Sequence, residues 1–367
     1  MITSTYYPDG KYNSTVNHLF IYTTSQNGEV SGTEVKELEG YDINSAGFAG
    51  KEKVIVSAVP KSGASSDDEF YSIDVKSGKA EKIADALSAG GSKVKFVPSG
   101  NGVFYLSDTR RNITYINADG KVTSWEKKKE GAVVPERKVI EDKYAVCDTR
   151  AAFLAEENSE GEKAIEVFSF DSEKSVKLKI DLSSDEGLAV QRIFWQNSST
   201  VGVFLNNRTV SFFDAESGEA GATVSLVGTS QEPVSVVPVS DENFAVLCRD
   251  SHIYEMNTDG FTGRSCRLEF ADEINNNIRE YDSSNAAKLE VMNSSESFRK
   301  YVVWDEDEAW LLDTDHFAVR YRIDDFAAAG GEYVFISDKI NNKAGFFPVY
   351  STDRLLGTAD SFLSALD

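Results

Sequence analysis

The chain has 367 residues with 60 Asp plus Glu against 38 Lys plus Arg, and its net charge of -22 argues against a nucleic-acid backbone as principal partner and for basic proteins or basic tails. Aromatic residues reach 11%, with 15 Tyr and 22 Phe against 3 Met and 7 Pro. The apolar residues fall in short Val, Ile, Phe and Tyr runs, so this is a β protein, too long for one ordinary core and built either as several domains or as one repetitive closure.

The first 25 residues lack a charged start followed by an apolar core, since Asp9, Lys11 and a run of Asn, Ser and Thr interrupt it, and no stretch approaches the 18 apolar residues of a spanning helix. Cys147, Cys248 and Cys266 cannot all pair, and each stands in an apolar or strand-like setting that suits a free buried thiol. A reducing cytoplasm or nucleus is the expected compartment. Asn-x-Ser/Thr triplets at Asn13, Asn112, Asn197, Asn207 and Asn293 are about what chance gives in a chain this rich in those residues, and they carry no weight for secretion.

Along the chain, HLFIYTT and TEVKELE come first as candidate strands. A repeat then sets in, in which an alternating strand runs into a turn of Asp, Asn, Ser or Gly and leaves as a second alternating strand. The copies are FYSIDVKSGKAEKI around Asp74, ITYINADGKVTSW around Asn117, IEVFSFDSEKSVKLKI around Asp171, VSFFDAESGEAGATVSL around Asp214, IYEMNTDGFTGRSCRL around Asn257 and AWLLDTDHFAVRYRI around Asp313. Each reads as a β-hairpin, because Asp or Asn bonds the turn backbone while Gly78, Gly120, Gly218 or Gly260 supplies a positive φ. The turn residues are 43, 54, 43, 43 and 56 apart, the period of a four-stranded propeller blade, with insertions near Trp125 to Glu162 and Ala271 to Ser297. Two earlier strand candidates precede each hairpin, as KVKFVP and GVFYLSD precede Asn117.

On these turn segments, FDAESG and IDVKSG above all, the chain resembles the WD40-like β-propeller superfamily over nearly its whole length. It differs from true WD repeats in lacking the Trp-Asp dipeptide that closes their strands and the Gly-His pair that opens their units; Trp304-Asp305 stands at a second-strand position before an acidic loop. The resemblance implies an all-β fold, a single propeller over 1–351 of about seven four-stranded blades, with eight as the alternative. The expected blades are about 41–83, 92–127, 137–181, 188–227, 233–270 and 286–323, with 324–351 (DDFAAAGGEYVFISD, AGFFPVY) joined to 17–39 so that N- and C-terminal strands close the ring. In 352–367, Leu355, Ala359, Phe362, Leu363 and Leu366 recur at helical spacing, predicting a short C-terminal helix or the start of a helical extension.

Signatures of chemistry are sparse. His18, His252 and His316 stand in different units without a zinc spacing, and no nucleophile elbow or phosphate loop occurs. The acidic runs Asp67-Asp68-Glu69, Asp272-Glu273 and Asp305 to Glu308 lack the order that wraps a loop around calcium, so no metal or cofactor is expected. The basic material is local: Lys127, Lys128 and Lys129, with Arg137 and Lys138 ten residues on, interrupt an acidic surface inside the first insertion, and Arg110-Arg111 lies in an earlier turn. Blade insertions serve recognition, so these five residues are the candidate partner-binding set.

The leading expectation is a non-enzymatic interaction scaffold within a larger intracellular complex, of the nuclear-pore, ribosome-assembly or vesicle-coat kind by analogy of fold, with other protein subunits as partners, direct nucleic-acid contact confined to the basic insertion, and no membrane contact. Two alternatives compete. An acidic disc suits a chaperone for a basic client such as a ribosomal protein or histone, and polar residues converging on a propeller channel suit a lactonase-like hydrolase.

Overall fold

The computed structural model describes residues 2–6, 16–24, 30–50, 52–60, 69–84, 95–99, 101–106, 112–125, 137–157, 162–182, 187–227, 229, 232–248, 252–267, 288–291, 301–304, 308–313, 318–324, 326–330, 333–338 and 343–348. They form an all-β protein of antiparallel sheets, with one short 3-10 turn at Lys36–Leu38. The expected C-terminal helix at 352–367 lies outside the described residues.

The first compact unit, Met1–Lys177, holds four sheets. β1 (Ile2–Tyr6), β2 (Val16–Thr24) and β3 (Val30–Glu34) make a three-stranded sheet. Three four-stranded meanders follow: β4 (Tyr41–Ala49), β5 (Lys53–Pro60), β6 (Glu69–Asp74) and β7 (Ala80–Ala84); β8 (Lys95–Ser99), β9 (Gly102–Leu106), β10 (Ile113–Asn117) and β11 (Val122–Ser124); β12 (Arg137–Cys147), β13 (Arg150–Glu157), β14 (Lys163–Ser169) and β15 (Lys174–Lys177).

The second unit, Leu178–Asp367, holds three more meanders. These are β16 (Val190–Asn197), β17 (Thr200–Leu205), β18 (Thr209–Asp214) and β19 (Ala220–Ser225); β20 (Pro233–Pro238), β21 (Asn243–Cys248), β22 (His252–Asn257) and β23 (Thr262–Arg267); β24 (Lys288–Val291), β25 (Tyr301–Trp304), β26 (Glu308–Asp313) and β27 (Ala318–Asp324). β28 (Phe326–Gly330), β29 (Tyr333–Asp338) and β30 (Lys343–Pro348) complete it as a three-stranded sheet. Of the segments 17–39 and 324–351, expected to share one blade, the first contributes β2 and β3, which pair with each other, and the second β28, β29 and β30, which pair in order.

The turn chemistry explains the meanders. Asp74 Oδ1 accepts the Ser77 amide at 2.9 Å and the Ser77 hydroxyl at 2.8 Å, and Asp214 Oδ1 accepts the same two groups of Ser217 at 2.7 Å each. The strands then rejoin as Asp74 N–H donates to Lys79 O and Asp214 N–H to Glu219 O. Asn117 and Asn257 close a loop one residue tighter, donating to Lys121 O and Phe261 O while Asn117 Oδ1 takes the Lys121 amide and Asn257 Oδ1 the Phe261 amide. In all four turns a glycine supplies the left-handed residue, with φ between 71° at Gly78 and 85° at Gly260.

In four of the sheets the residue that follows the third strand is tied to the hairpin between strands one and two: Val75 N–H to Glu52 O, Ala118 to Asn101 O, Phe170 to Thr149 O and Ala215 to Ser199 O. By this bond the counterpart of Asp74 in the β12–β15 sheet is Ser169. Asp171 instead accepts the Thr149 hydroxyl at 2.8 Å, so the intervals of 43 and 54 that flank it in the sequence reading each shift by two residues.

Apolar residues on alternate positions of the third strands face opposite ways, and neighbouring sheets pack through them. Leu19 and Ile21 of β2 share a buried cluster with Tyr71 and Ile73, Phe70 with Ile116, and Ile113 and Tyr115 with Phe168 and Phe170; in the second unit Val210, Phe212 and Met256 share one, with Tyr254 packed against it. First strands also lie beside first strands, β4 by β8 and β16 by β20.

Candidate functional site

The first insertion leaves the β8–β11 sheet at Trp125 and enters the β12–β15 sheet at Arg137. Lys127, Lys128 and Lys129, between these two residues, lie outside the described residues. The base of the insertion is a clasp. Trp125 N–H donates to Ile113 O at 3.1 Å, extending the ladder past β11, and its ring packs edge-on against Phe153 of β13. The Arg137 guanidinium lies 4.5 Å from the centre of the Trp125 ring, within cation–π range.

Both residues converge on Glu166 of β14, whose side chain is 2% exposed. Arg137 Nη1 donates to Glu166 Oε1 at 2.5 Å, Trp125 Nε1 to Oε2 at 3.3 Å and the Ser175 hydroxyl to Oε2 at 2.8 Å. Each carboxylate oxygen therefore has a donor, as a buried charge requires. Beside it, Lys138 stands opposite Glu156 in the β12–β13 register and pairs with it at 2.7 Å. Arg137 and Lys138, read from the sequence as part of a basic patch, are thus each paired with a carboxylate of their own sheet; the ladder, not their order along the chain, decides their partners.

A second buried carboxylate repeats the device. Glu255 of β22 accepts a two-pronged contact from Arg264 of β23, Nε to Oε2 at 2.6 Å and Nη2 to Oε1 at 2.9 Å, with Asn243 Nδ2 at 3.3 Å. This contact, opposed in part by burial, holds the Glu255 carboxyl below its ordinary range. Sequence reasoning missed both glutamates. The signal was present, since IEVF and IYEM each set one carboxylate inside an otherwise apolar third strand.

The remaining candidates disperse. His252 of β22 is half-buried and stacks on Tyr254, with ring centres 5.9 Å apart; His18 falls in β2, and His316 lies outside the described residues. Among the described residues no three His, Cys, Asp or Glu side chains group as metal ligands, and no helix is long and apolar enough to cross a membrane. Of the three cysteines Cys248 is buried and Cys147 and Cys266 are half-buried, so the buried setting read for all three applies to Cys248 alone. Tyr115 is pushed up to about 12 by burial and by the negative charges of Asp171 and Asp148.

No protein-family model and no curated protein matches the chain. Solved structures to which the chain is similar include two of low sequence identity. Apo AztD from Citrobacter koseri is 12% identical with a TM-score of 0.44, over 86% of this chain and 92% of that one. KlHsv2 with its loop 6CD replaced by a Gly-Ser linker is 13% identical with a TM-score of 0.45, over 84% and 93%.

Proposed function

We propose that the chain is a WD40-like β-propeller, with its successive sheets as blades, and that it works as a non-enzymatic platform binding other proteins within a larger assembly. The tie between third-strand turn and preceding hairpin, repeated in four of the sheets, and the side-by-side first strands support the propeller reading.

The observation that carries the platform reading is the clasp. An insertion with three consecutive lysines springs from two residues held on each other by a stacked guanidinium and a shared buried carboxylate. Recognition segments on a rigid base bind with less ordering cost than free ones. The three lysines suit an acidic partner surface, while the net charge of -22 over the whole chain suits basic segments.

Affinity purification after cross-linking tests this. We expect defined partners at fixed stoichiometry, at least one of them lost when Lys127, Lys128 and Lys129 are all changed to Glu while the melting temperature holds. Recovery of a lone monomer, or lactone hydrolysis by the purified chain, overturns the reading.

A further inference from the structure

The fourth strand of each four-stranded sheet is an edge, and an unpaired edge invites another strand unless charge, brevity or cover blunts it. β7 carries Glu81 and Lys82, β15 carries Lys174 and Lys177, β23 carries Arg264 and Arg267, and β27 carries Arg320, Arg322 and Asp324. β11 is three residues long and half-buried. β19 has neither charge nor brevity nor, among the described residues, cover, and shares only a bulge with β7, β23 and β27, here between Ala220 and Thr223. Its six residues, Ala220, Gly221, Ala222, Thr223, Val224 and Ser225, are uncharged, and all but Val224 are exposed.

The edge is also oriented for pairing. Leu226 N–H donates to Arg208 O at 2.8 Å and Val224 stands opposite Val210, so strand alternation turns the backbone N–H and C=O of Thr223 and Ser225 away from β18. The two ends differ chemically. Asp214, Glu216 and Glu219 gather at the turn that starts β19, with Lys179 paired to Glu219. Asp214 stays ionised there, since the Ser217 hydroxyl and amide hold its carboxyl below its ordinary range. At the other end Val227 is 71% exposed.

We propose that the edge of β19 takes up an extended segment of a partner protein as a fifth, antiparallel strand, apolar at its start beside Val227 and basic at its end beside Glu216. This rests on the platform reading and names one place where it operates. A second copy of β19 fits less well, because antiparallel pairing would set the acidic turn of each copy against Val227 of the other.

The test uses a capped heptapeptide of leucine, then alternating threonine and valine, then lysine, added to the whole chain. Hydrogen exchange at Thr223 and Ser225 should slow on addition. A peptide ending in glutamate should bind at least tenfold more weakly, and the Thr223→Pro variant, which removes an outward-facing N–H together with the hydroxyl contact to Ser211 at 3.1 Å, should lose binding while Thr223→Val, which removes the hydroxyl contact alone, keeps it. Unchanged exchange at these two amides overturns the proposal, as does protection that rises with protein concentration in the absence of peptide, the mark of a second copy. Because the probe is synthetic, either result is independent of whether native partners are recovered with the Lys127 to Lys129 insertion intact.

Discussion

Arg137 and Trp125 stand at the two ends of an insertion and touch each other, the guanidinium 4.5 Å from the ring centre, while both donate to the buried Glu166. The contact joins the β8–β11 and β12–β15 sheets and closes the base of the insertion with one carboxylate.

Removing Arg137 leaves that carboxylate buried with two weaker donors. Arg137→Ala should cost about 3 kcal/mol, discounted for the partial exposure of the arginine, and Glu166→Gln about half as much, because the amide keeps one acceptor. Arg137→Lys should fall between, having lost the flat face that stacks on Trp125. Urea unfolding with an unchanged slope measures all three.

The Glu255 carboxyl is depressed in the folded chain by Arg264. A depressed carboxyl contributes stability above its unfolded value and loses it as pH falls through the folded one. The difference in unfolding free energy between the native chain and Arg264→Met should therefore be largest at neutral pH and shrink under acid. A difference constant from neutral pH down to pH 3 would assign Arg264 a packing role alone.

Three turn glycines share a left-handed backbone but not their surroundings. A Cβ at Gly78 would stand 2.7 Å from Thr33 Cγ2 and 2.9 Å from the Glu34 carbonyl oxygen, one at Gly120 would stand 2.8 Å from Ile83 Cγ2, and one at Gly260 would approach only Val224 Cγ1 at 3.5 Å. Gly260→Ala should cost about 1 kcal/mol for the backbone alone, and Gly78→Ala about 3 kcal/mol, because a backbone carbonyl cannot move aside. Gly120→Ala should rank between them, and thermal melts of the three variants give the order.

Gly202 of β17 lies directly across from Phe194 of β16, and a Cβ there would enter the ring at 2.2 Å from Cζ. Its φ is ordinary, so the cost of Gly202→Ala is steric and should be about 2 kcal/mol. Adding Phe194→Leu should make the double variant more stable than the sum of the two losses allows, by about 1 kcal/mol in a double-mutant cycle.

Four of the five described turns were legible in the chain itself, because Asp74, Asn117, Asp214 and Asn257 act on amides only two to four residues ahead, and a local bond leaves a local signature. Asp171 looked the same and is not, since its partner Thr149 lies one hairpin back and Ser169 takes the turn position. The alternation of apolar residues likewise announced strands and four-stranded units. The fate of each charge was decided only in three dimensions. Arg137 and Lys138 read as neighbours of Lys129 and are partners of Glu166 and Glu156, because ladder register brings together residues that the chain separates. The uncharged edge of β19 was in the sequence as AGATVS, but only sheet order makes it an edge.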